Sequence, residues 1–75
     1  MNHDKELDAR GLACPLPIVK TNKTINQMAS GQVLRVLATD SGSVADMKAY
    51  AEQTGHQLLE STQENGVYVF HLKRS

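Results

Sequence analysis

The sequence predicts an α/β fold, an α+β two-layer sandwich in which a four-stranded mixed sheet carries two helices on one face. Two segments with helical spacing alternate with apolar strand-like runs, and an Asn-Gly pair separates the last two runs. Strand–helix–strand units cross over right-handed, so the order βαβαββ gives three strands running one way and a fourth running back. A chain of 75 residues can bury one modest core, and we expect residues 1–75 to form a single domain.

The first strand and the first helix follow from local signals of different strength. Residues 5–8 form a strand candidate with weak strand propensity. The first helix is expected from residue 14 or 15 to about residue 29, because proline is tolerated in the first helical turn and Ser30-Gly31 can end the helix. Its inward stripe is predicted to contain Ile18, Ile25 and Met28.

The second strand and the second helix are separated by a polar loop. Residues 32–38 are rich in valine and leucine and predict a strand, and residues 43–54 predict a helix that ends at Gly55. Ser43 and Asp46 have the spacing of a capping box at the start of this helix. The predicted inward stripe of the helix contains Val44, Met47 and Ala51.

The last two strands are predicted over residues 57–62 and 67–73. The Asn-Gly pair in Glu64-Asn65-Gly66 is a strong hairpin signal between them. Alternation puts one set of side chains of the last strand on each face: Tyr68, Phe70 and Leu72 on one, and Val67, Val69 and His71 on the other. Both sets are largely apolar, so the sequence leaves open which one is buried.

Composition excludes several classes of function. The net charge is zero, which gives no basic surface for nucleic acid or anionic lipid, and no apolar run is long enough to span a membrane. The polar amino-terminal residues do not resemble a signal peptide, so we expect a reducing, cytoplasmic location in which a free thiol persists. No cofactor or metal site is predicted, because one cysteine and scattered histidines do not make a zinc cluster.

Cys14 is the one cysteine of the chain and begins the run Cys14-Pro15-Leu16-Pro17. Pro15 and Pro17 predict a helix start that places the thiol at or just before the N-cap. Free backbone N–H groups and the helix dipole at such a position favour thiolate, so we expect an accessible thiol, within the first helical turn, with a modestly lowered pKa.

The predicted topology separates Cys14 from all three histidines. Cys14 follows the first strand and lies at the carboxyl edge of the sheet, whereas His56 opens the third strand at the opposite edge. His3 precedes the first strand, and His71 lies toward the far end of the fourth. A Cys–His nucleophile pair is therefore not expected. Without a second cysteine, an adduct on Cys14 must be removed by another molecule, which is the behaviour of a carrier. The alternative is a cysteine that only packs as a small apolar side chain.

Besides Pro15 and Pro17 beside the thiol, the supporting candidates for its chemistry are Asp8, Arg10, Gly11 and Asp40. Asp8 and Arg10 precede it, and Asp40 follows the second strand at the same sheet edge. Arg10 can stabilise thiolate or steer an anion, or it can simply pair with Asp8 in solvent. Gly11 is expected to supply a positive φ in the turn before the helix. Asp46 is most simply explained as a helix cap.

The sequence resembles a known family, the TusA/SirA-like sulfur-carrier proteins. The likeness rests on a Cys-Pro-x-Pro core preceded by Asp-x-Arg-Gly-Leu and continues in order through most of the chain. The residues that carry it are Leu7-Asp8-Ala9-Arg10-Gly11-Leu12-Ala13-Cys14-Pro15-Leu16-Pro17.

The resemblance implies a small sandwich whose Cys14 carries sulfur as a persulfide. Such a carrier takes sulfur from a cysteine desulfurase or a sulfurtransferase and passes it to an acceptor protein, in tRNA thiolation or in another sulfur-trafficking pathway. It is sulfurtransferase-like rather than an enzyme that acts alone, and direct binding of nucleic acid is not expected. The alternative from a different class is a non-catalytic regulatory or protein-interaction module in which Cys14 is structural.

Overall fold

The computed structural model describes residues 2–75, and they form elements in the predicted order βαβαββ. The element bounds are β1 (Lys5–Ala9), α1 (Leu16–Asn26), β2 (Val33–Ala38), α2 (Ser43–Thr54), β3 (Gln57–Glu64) and β4 (Val67–Lys73). The bounds of α2 and β4 agree with the sequence prediction at both ends, and β1 is one residue longer than predicted.

The sheet order is β1-β2-β4-β3. β1 and β2 are parallel, with Leu7 opposite Val36, and β4 is antiparallel to both β2 and β3. This confirms the expected arrangement of three strands in one direction and one reversed. α1 contacts β1 and β2, α2 contacts β3 and β4, and the two helices contact each other, so both lie on one face of the sheet. The predicted two-layer sandwich is confirmed.

The core lies between the helices and this face of the sheet. Phe70 and Leu72 are fully buried there, and Tyr68 packs partly against the same cluster. The sequence left open which face of β4 is buried, and the structure shows that it is the face with Tyr68, Phe70 and Leu72. The other large side chains with no exposed surface are Ile25, Leu34, Val36 and Met47.

The opposite face of the sheet has no helix over it among residues 2–75, yet two of its side chains are buried. Val69 is 7% exposed and His71 is 6% exposed. His71 lies opposite Arg35 of β2 and Glu60 of β3, and an Arg35 nitrogen lies 3.2 Å from a carboxylate oxygen of Glu6. Long side chains on neighbouring strands thus cover this histidine, because adjacent strands place paired residues side by side.

α1 is shorter than the sequence predicted. It begins at Leu16 and ends at Asn26, whereas the prediction ran to about Ala29. The chain closes in tighter turns, in which the N–H groups of Gln27 and Met28 bond to carbonyls only three residues back. Met28 is nevertheless buried as expected, and the Arg74 guanidinium donates a hydrogen bond to its carbonyl oxygen.

Two predictions for α2 are wrong. Val44 does not belong to the inward stripe: it is 44% exposed, and Ser43 is buried instead. The expected capping box is absent from the described residues, because the N-cap is Gly42 and no side chain caps it. This frees the carboxylate of Asp46 for another contact. Tyr50 joins Met47 and Ala51 on the buried side.

The hairpin between β3 and β4 agrees with its sequence signal. Asn65 and Gly66 have φ values of 51° and 78°, the pair of positive angles that a type I′ turn requires. β3 extends to Glu64, two residues beyond the prediction, because this tight turn allows pairing up to its first residue. Within residues 2–75, neither helix has the length and apolarity needed to cross a membrane.

Candidate functional site

A short loop between β1 and α1 places Cys14 at the carboxyl edge of the sheet. The loop is tied to the residue that follows β2, because the Gly11 N–H donates to Thr39 Oγ1 at 2.9 Å. Gly11 has a φ of +80°, which confirms the expected left-handed turn before the helix. The Leu16 N–H then donates to the Ala13 carbonyl at 2.9 Å and starts the next turn. The loop therefore fixes the thiol beside the amino ends of both helices.

Cys14 is a free, exposed cysteine that directly precedes the N-cap of α1, which is Pro15. This confirms the predicted accessibility and the position just before the N-cap. Its peptide bond to Pro15 is cis. The expectation that the sulfur lies within the first helical turn is wrong, since α1 begins two residues later, at Leu16.

The thiol is hydrogen-bonded to the other helix. Cys14 Sγ donates to Asp46 Oδ2 at 2.9 Å. This hydrogen bond raises the pKa of the Cys14 thiol above its ordinary value, and the negative charges of Asp46 and then Asp40 act in the same direction. The expected lowering of the thiol pKa is therefore wrong. The carboxylate of Asp46 favours the protonated sulfur, and this local contact opposes the effect of the helix dipole.

Asp40 occupies the loop that leads into α2. Its Oδ2 accepts the Gly42 N–H at 3.1 Å, and its backbone carbonyl accepts the Ser43 N–H at 3.1 Å. Asp40 thus shapes the amino end of α2 while placing a second negative charge near the thiol. The prediction that Asp40 lies at the same sheet edge as Cys14 is confirmed, but its charge opposes thiolate formation.

A groove between α1 and α2 begins at the thiol. Tyr50 lies along it, and its hydroxyl donates to Asn22 Oδ1 at 3.0 Å, which joins the two helices. The groove is lined by Cys14, Pro15, Ile18, Asp46, Ala49, Tyr50 and Gln53. Most of this lining is apolar apart from the thiol, the carboxylate and two polar side-chain ends. The groove leaves the sulfur atom of Cys14 open to approach from solvent.

Asp8 and Arg10 pair with each other. Two Arg10 nitrogens, Nε and Nη2, each lie 2.8 Å from an oxygen of the Asp8 carboxylate, and both side chains are about half exposed. The Arg10 guanidinium holds the pKa of Asp8 at about 2. The sequence left open whether Arg10 would pair with Asp8 or act on the thiol, and its hydrogen bonds go to Asp8.

Pro15 and Pro17 have different positions in the same helix start. Pro15 is the N-cap residue and lines the groove, whereas Pro17 is buried in the first turn. Their location at the start of α1 is as the sequence predicted. Any supporting role of these two prolines in sulfur chemistry stays a prediction.

The histidines lie away from the carboxyl edge. His56 precedes Gln57, which pairs with Lys73 near the opposite edge, and the Ser75 N–H donates to His56 Nδ1 at 3.1 Å. The rings of His3 and His71 are tilted by 55° to each other, with their centroids 6.0 Å apart. Within residues 2–75, no group of three or more His, Cys, Asp or Glu side chains is arranged to bind a metal ion.

Sequence reasoning missed two residues of the site, Asp46 and Asn22. The sequence pattern of Asp46 predicts a helix cap, and the polar run Thr21-Asn22-Lys23-Thr24 in the middle of α1 predicts no role in the site. The available signal for Asp46 was topological, because a carboxylate in the first turn of α2 lies at the same edge as a residue that precedes α1. Nothing in the sequence indicated the pairing of Asn22 with Tyr50.

The comparisons with known proteins agree with this geometry. The family model for sulfurtransferase TusA matches residues 5–74. A sulfur carrier protein TusA from Allochromatium vinosum is 58% identical over 96% of this chain and 95% of its own length. A putative sulfur carrier protein, YrkI, from Bacillus subtilis is 49% identical over 99% of both chains.

A solved structure gives the same answer for the fold. The crystal structure of a SirA-like protein from Desulfitobacterium hafniense superposes with a TM-score of 0.83 and 28% identity, covering 93% of this chain and 96% of that one. The fold agreement and the match over nearly the whole sequence lead to one conclusion: the chain belongs to the TusA sulfurtransferase family.

Proposed function

We propose that this member of the TusA family is a sulfur carrier that bears sulfane sulfur on Cys14 as a persulfide. The sulfur comes from a cysteine desulfurase or a sulfurtransferase and passes to an acceptor protein. The observation that carries the proposal is the exposed thiol of Cys14 at the open end of the groove between α1 and α2. A cysteine that only packed as an apolar side chain would be buried instead.

The transfer step conserves atoms and electrons. The Cys14 thiol loses its proton, and the resulting thiolate attacks the terminal sulfur of a donor persulfide. The new S–S bond on Cys14 forms as the S–S bond of the donor breaks, and the donor cysteine leaves as thiolate and takes up a proton. Cys14 then carries the sulfane sulfur. In the second exchange, an acceptor thiolate attacks this terminal sulfur, and Cys14 leaves as thiolate.

The composition supports an acceptor that is a protein. The chain has one cysteine, so it cannot release its sulfur by forming an internal disulfide. Its net charge of zero gives no general attraction to nucleic acid, so a role in tRNA thiolation runs through a second protein. We place the relay in the cytoplasm, where a free thiol remains reduced.

Mass spectrometry of the intact protein tests the proposal. After incubation with a cysteine desulfurase and cysteine, the wild-type chain should gain the mass of one sulfur atom, and a reductant should remove it. The matched control is Cys14→Ser, which changes one atom at an exposed position and should stay folded by circular dichroism. No added sulfur on the wild type, or equal addition to both proteins, would refute sulfur carriage on Cys14 and favour the packing alternative.

A further inference from the structure

The carboxylate of Asp46 is fixed at the thiol by its place in α2. Its backbone N–H donates to the Gly42 carbonyl at 3.1 Å in the first turn, which directs the side chain toward the β1–α1 loop. Asp46 Oδ2 then accepts the Cys14 thiol at 2.9 Å, and both residues line the groove between the helices. A short contact between a sulfur and a carboxylate oxygen requires a proton between them, because two negative charges at this distance repel.

The charges that act on the thiol are both negative. Asp46 acts from α2 and Asp40 acts from the loop before it, while the N-cap Pro15 and Ile18 of α1 add only uncharged side chains to the groove lining. The nearest cation in sequence, Arg10, is occupied by Asp8. Among residues 2–75, the ion pairs of the chain are Arg10 with Asp8 and Arg35 with Glu6, so neither carboxylate at the thiol is neutralised by a cation.

We propose that Asp46 is a positioning residue that keeps the Cys14 thiol protonated and directed into the groove while the carrier is free. The thiolate needed for sulfur transfer then forms when a partner displaces or neutralises Asp46. This restraint protects an exposed sulfur from indiscriminate reaction and makes its reactivity depend on docking. The importance of the restraint rests on the proposed sulfur relay, but its existence can be measured on the free protein.

The pH dependence of alkylation by iodoacetamide tests the restraint. Iodoacetamide is neutral, so its rate follows the thiolate fraction without a charge effect on its approach. The wild-type chain should show a midpoint above that of the same chain unfolded in urea. Asp46→Asn should lower the midpoint and raise the rate at pH 7 by roughly threefold to tenfold, since a tenfold change corresponds to one pKa unit.

The matched control is Asp40→Asn, which removes a similar charge without touching the thiol hydrogen bond. Its midpoint should fall by less than that of Asp46→Asn. A wild-type midpoint at or below that of the unfolded chain, or a midpoint unchanged in Asp46→Asn, would overturn the proposal, and so would slower alkylation of that variant. The comparison of folded with unfolded wild type remains decisive if a variant does not fold.

These results are independent of sulfur loading. A raised midpoint together with no persulfide after desulfurase treatment would refute the sulfur relay and keep the restraint. A persulfide on Cys14 together with an alkylation midpoint no higher than that of the unfolded chain would refute the restraint and keep the sulfur relay.

Discussion

The hydroxyl of Tyr50 in α2 donates a hydrogen bond to Asn22 Oδ1 in α1 at 3.0 Å. The tyrosine is 7% exposed, and burial raises its pKa, so the phenol remains a donor at neutral pH. This bond joins the two helices along the groove that begins at Cys14. The polar middle of α1 therefore has a structural use, since an apolar residue at position 22 would leave the phenol without this partner.

Tyr50→Phe should lower the free energy of unfolding by about 0.5–1.5 kcal/mol, the usual net value of one hydrogen bond. Urea denaturation measures the change. Asn22→Ala removes the other partner of the bond. In a double-mutant cycle, the losses in free energy of unfolding should not be additive, because both substitutions remove the same hydrogen bond. Additive losses would contradict a direct coupling between the two side chains.

Thr21→Val should raise the free energy of unfolding by about 1 kcal/mol, because a hydroxyl buried without a partner is unfavourable. Thr21 is fully buried in α1, and within the described residues its Oγ1 has no hydrogen-bond partner. Valine keeps the branched shape and replaces the hydroxyl with a methyl group.

The matched comparison at this position is Thr21→Ser, which keeps the hydroxyl and removes the methyl group. It should lower stability by about 1 kcal/mol, the value of one buried carbon. Thermal denaturation of the three proteins gives the order Val, Thr, Ser. A destabilised valine variant would indicate that the hydroxyl is satisfied in solution.

Gly11→Ala should lower stability by about 1–2 kcal/mol, the cost of placing an alanine in the left-handed region. Gly11 has a φ of +80°, and an added Cβ would meet no atom within 4 Å, so the effect comes from the backbone alone. The substitution should also change the alkylation rate of Cys14, since Gly11 anchors the loop to Thr39.

Gly66→Ala in the β3–β4 hairpin is the control for this effect. Its φ is +78° and its surroundings are equally open, so the loss of stability should be similar. The rate of alkylation of Cys14 should stay at the wild-type value in this variant. Equal effects on the thiol in both variants would show that global stability, rather than the loop, sets the reactivity.

The protein should lose stability as the pH falls below about 6.5. His71 is buried, and burial lowers its pKa below the ordinary value of 6.5, with Glu60 opposing the shift and Arg35 and His3 adding to it. The unfolded chain therefore binds more protons in this window, so stability is fully present above about 6.5 and declines as the pH falls toward the folded pKa.

Urea denaturation at several pH values measures this slope. His71→Phe should flatten it by removing one of the groups. His56 also has a lowered pKa, through burial and the charge of Arg74, so part of the slope should remain in that variant and disappear in the double variant. A slope unchanged by both substitutions would assign the acid sensitivity to other groups.

Most of the fold could be predicted because its signals are local. The bounds of α2 follow from the helical spacing before Gly55, and the hairpin follows from Asn65-Gly66, whose positive φ values few other pairs adopt at so little strain. The end of α1 was less predictable. The helical spacing of apolar residues extends to Met28 and so predicted a longer helix. A tighter turn after Asn26 buries the same side chain, so its burial did not distinguish the two conformations.

The position of the thiol was determined by the sequence alone. Two prolines limit where α1 can begin, and the residue before them must then lie at the carboxyl edge of a parallel strand pair. Its exposure follows from the same placement, since the core stripe of α1 begins later along the chain.

The ionisation of Cys14 was decided only by the tertiary structure. Asp46 lies 32 residues away in the sequence, and its first-turn position predicts a helix cap as readily as a thiol partner. Only the packing of α2 against α1 brings its carboxylate to 2.9 Å from the sulfur. Electrostatic effects on a thiol depend on distance rather than on sequence separation, so local patterns predicted the place of the reactive atom but gave the wrong direction for its pKa.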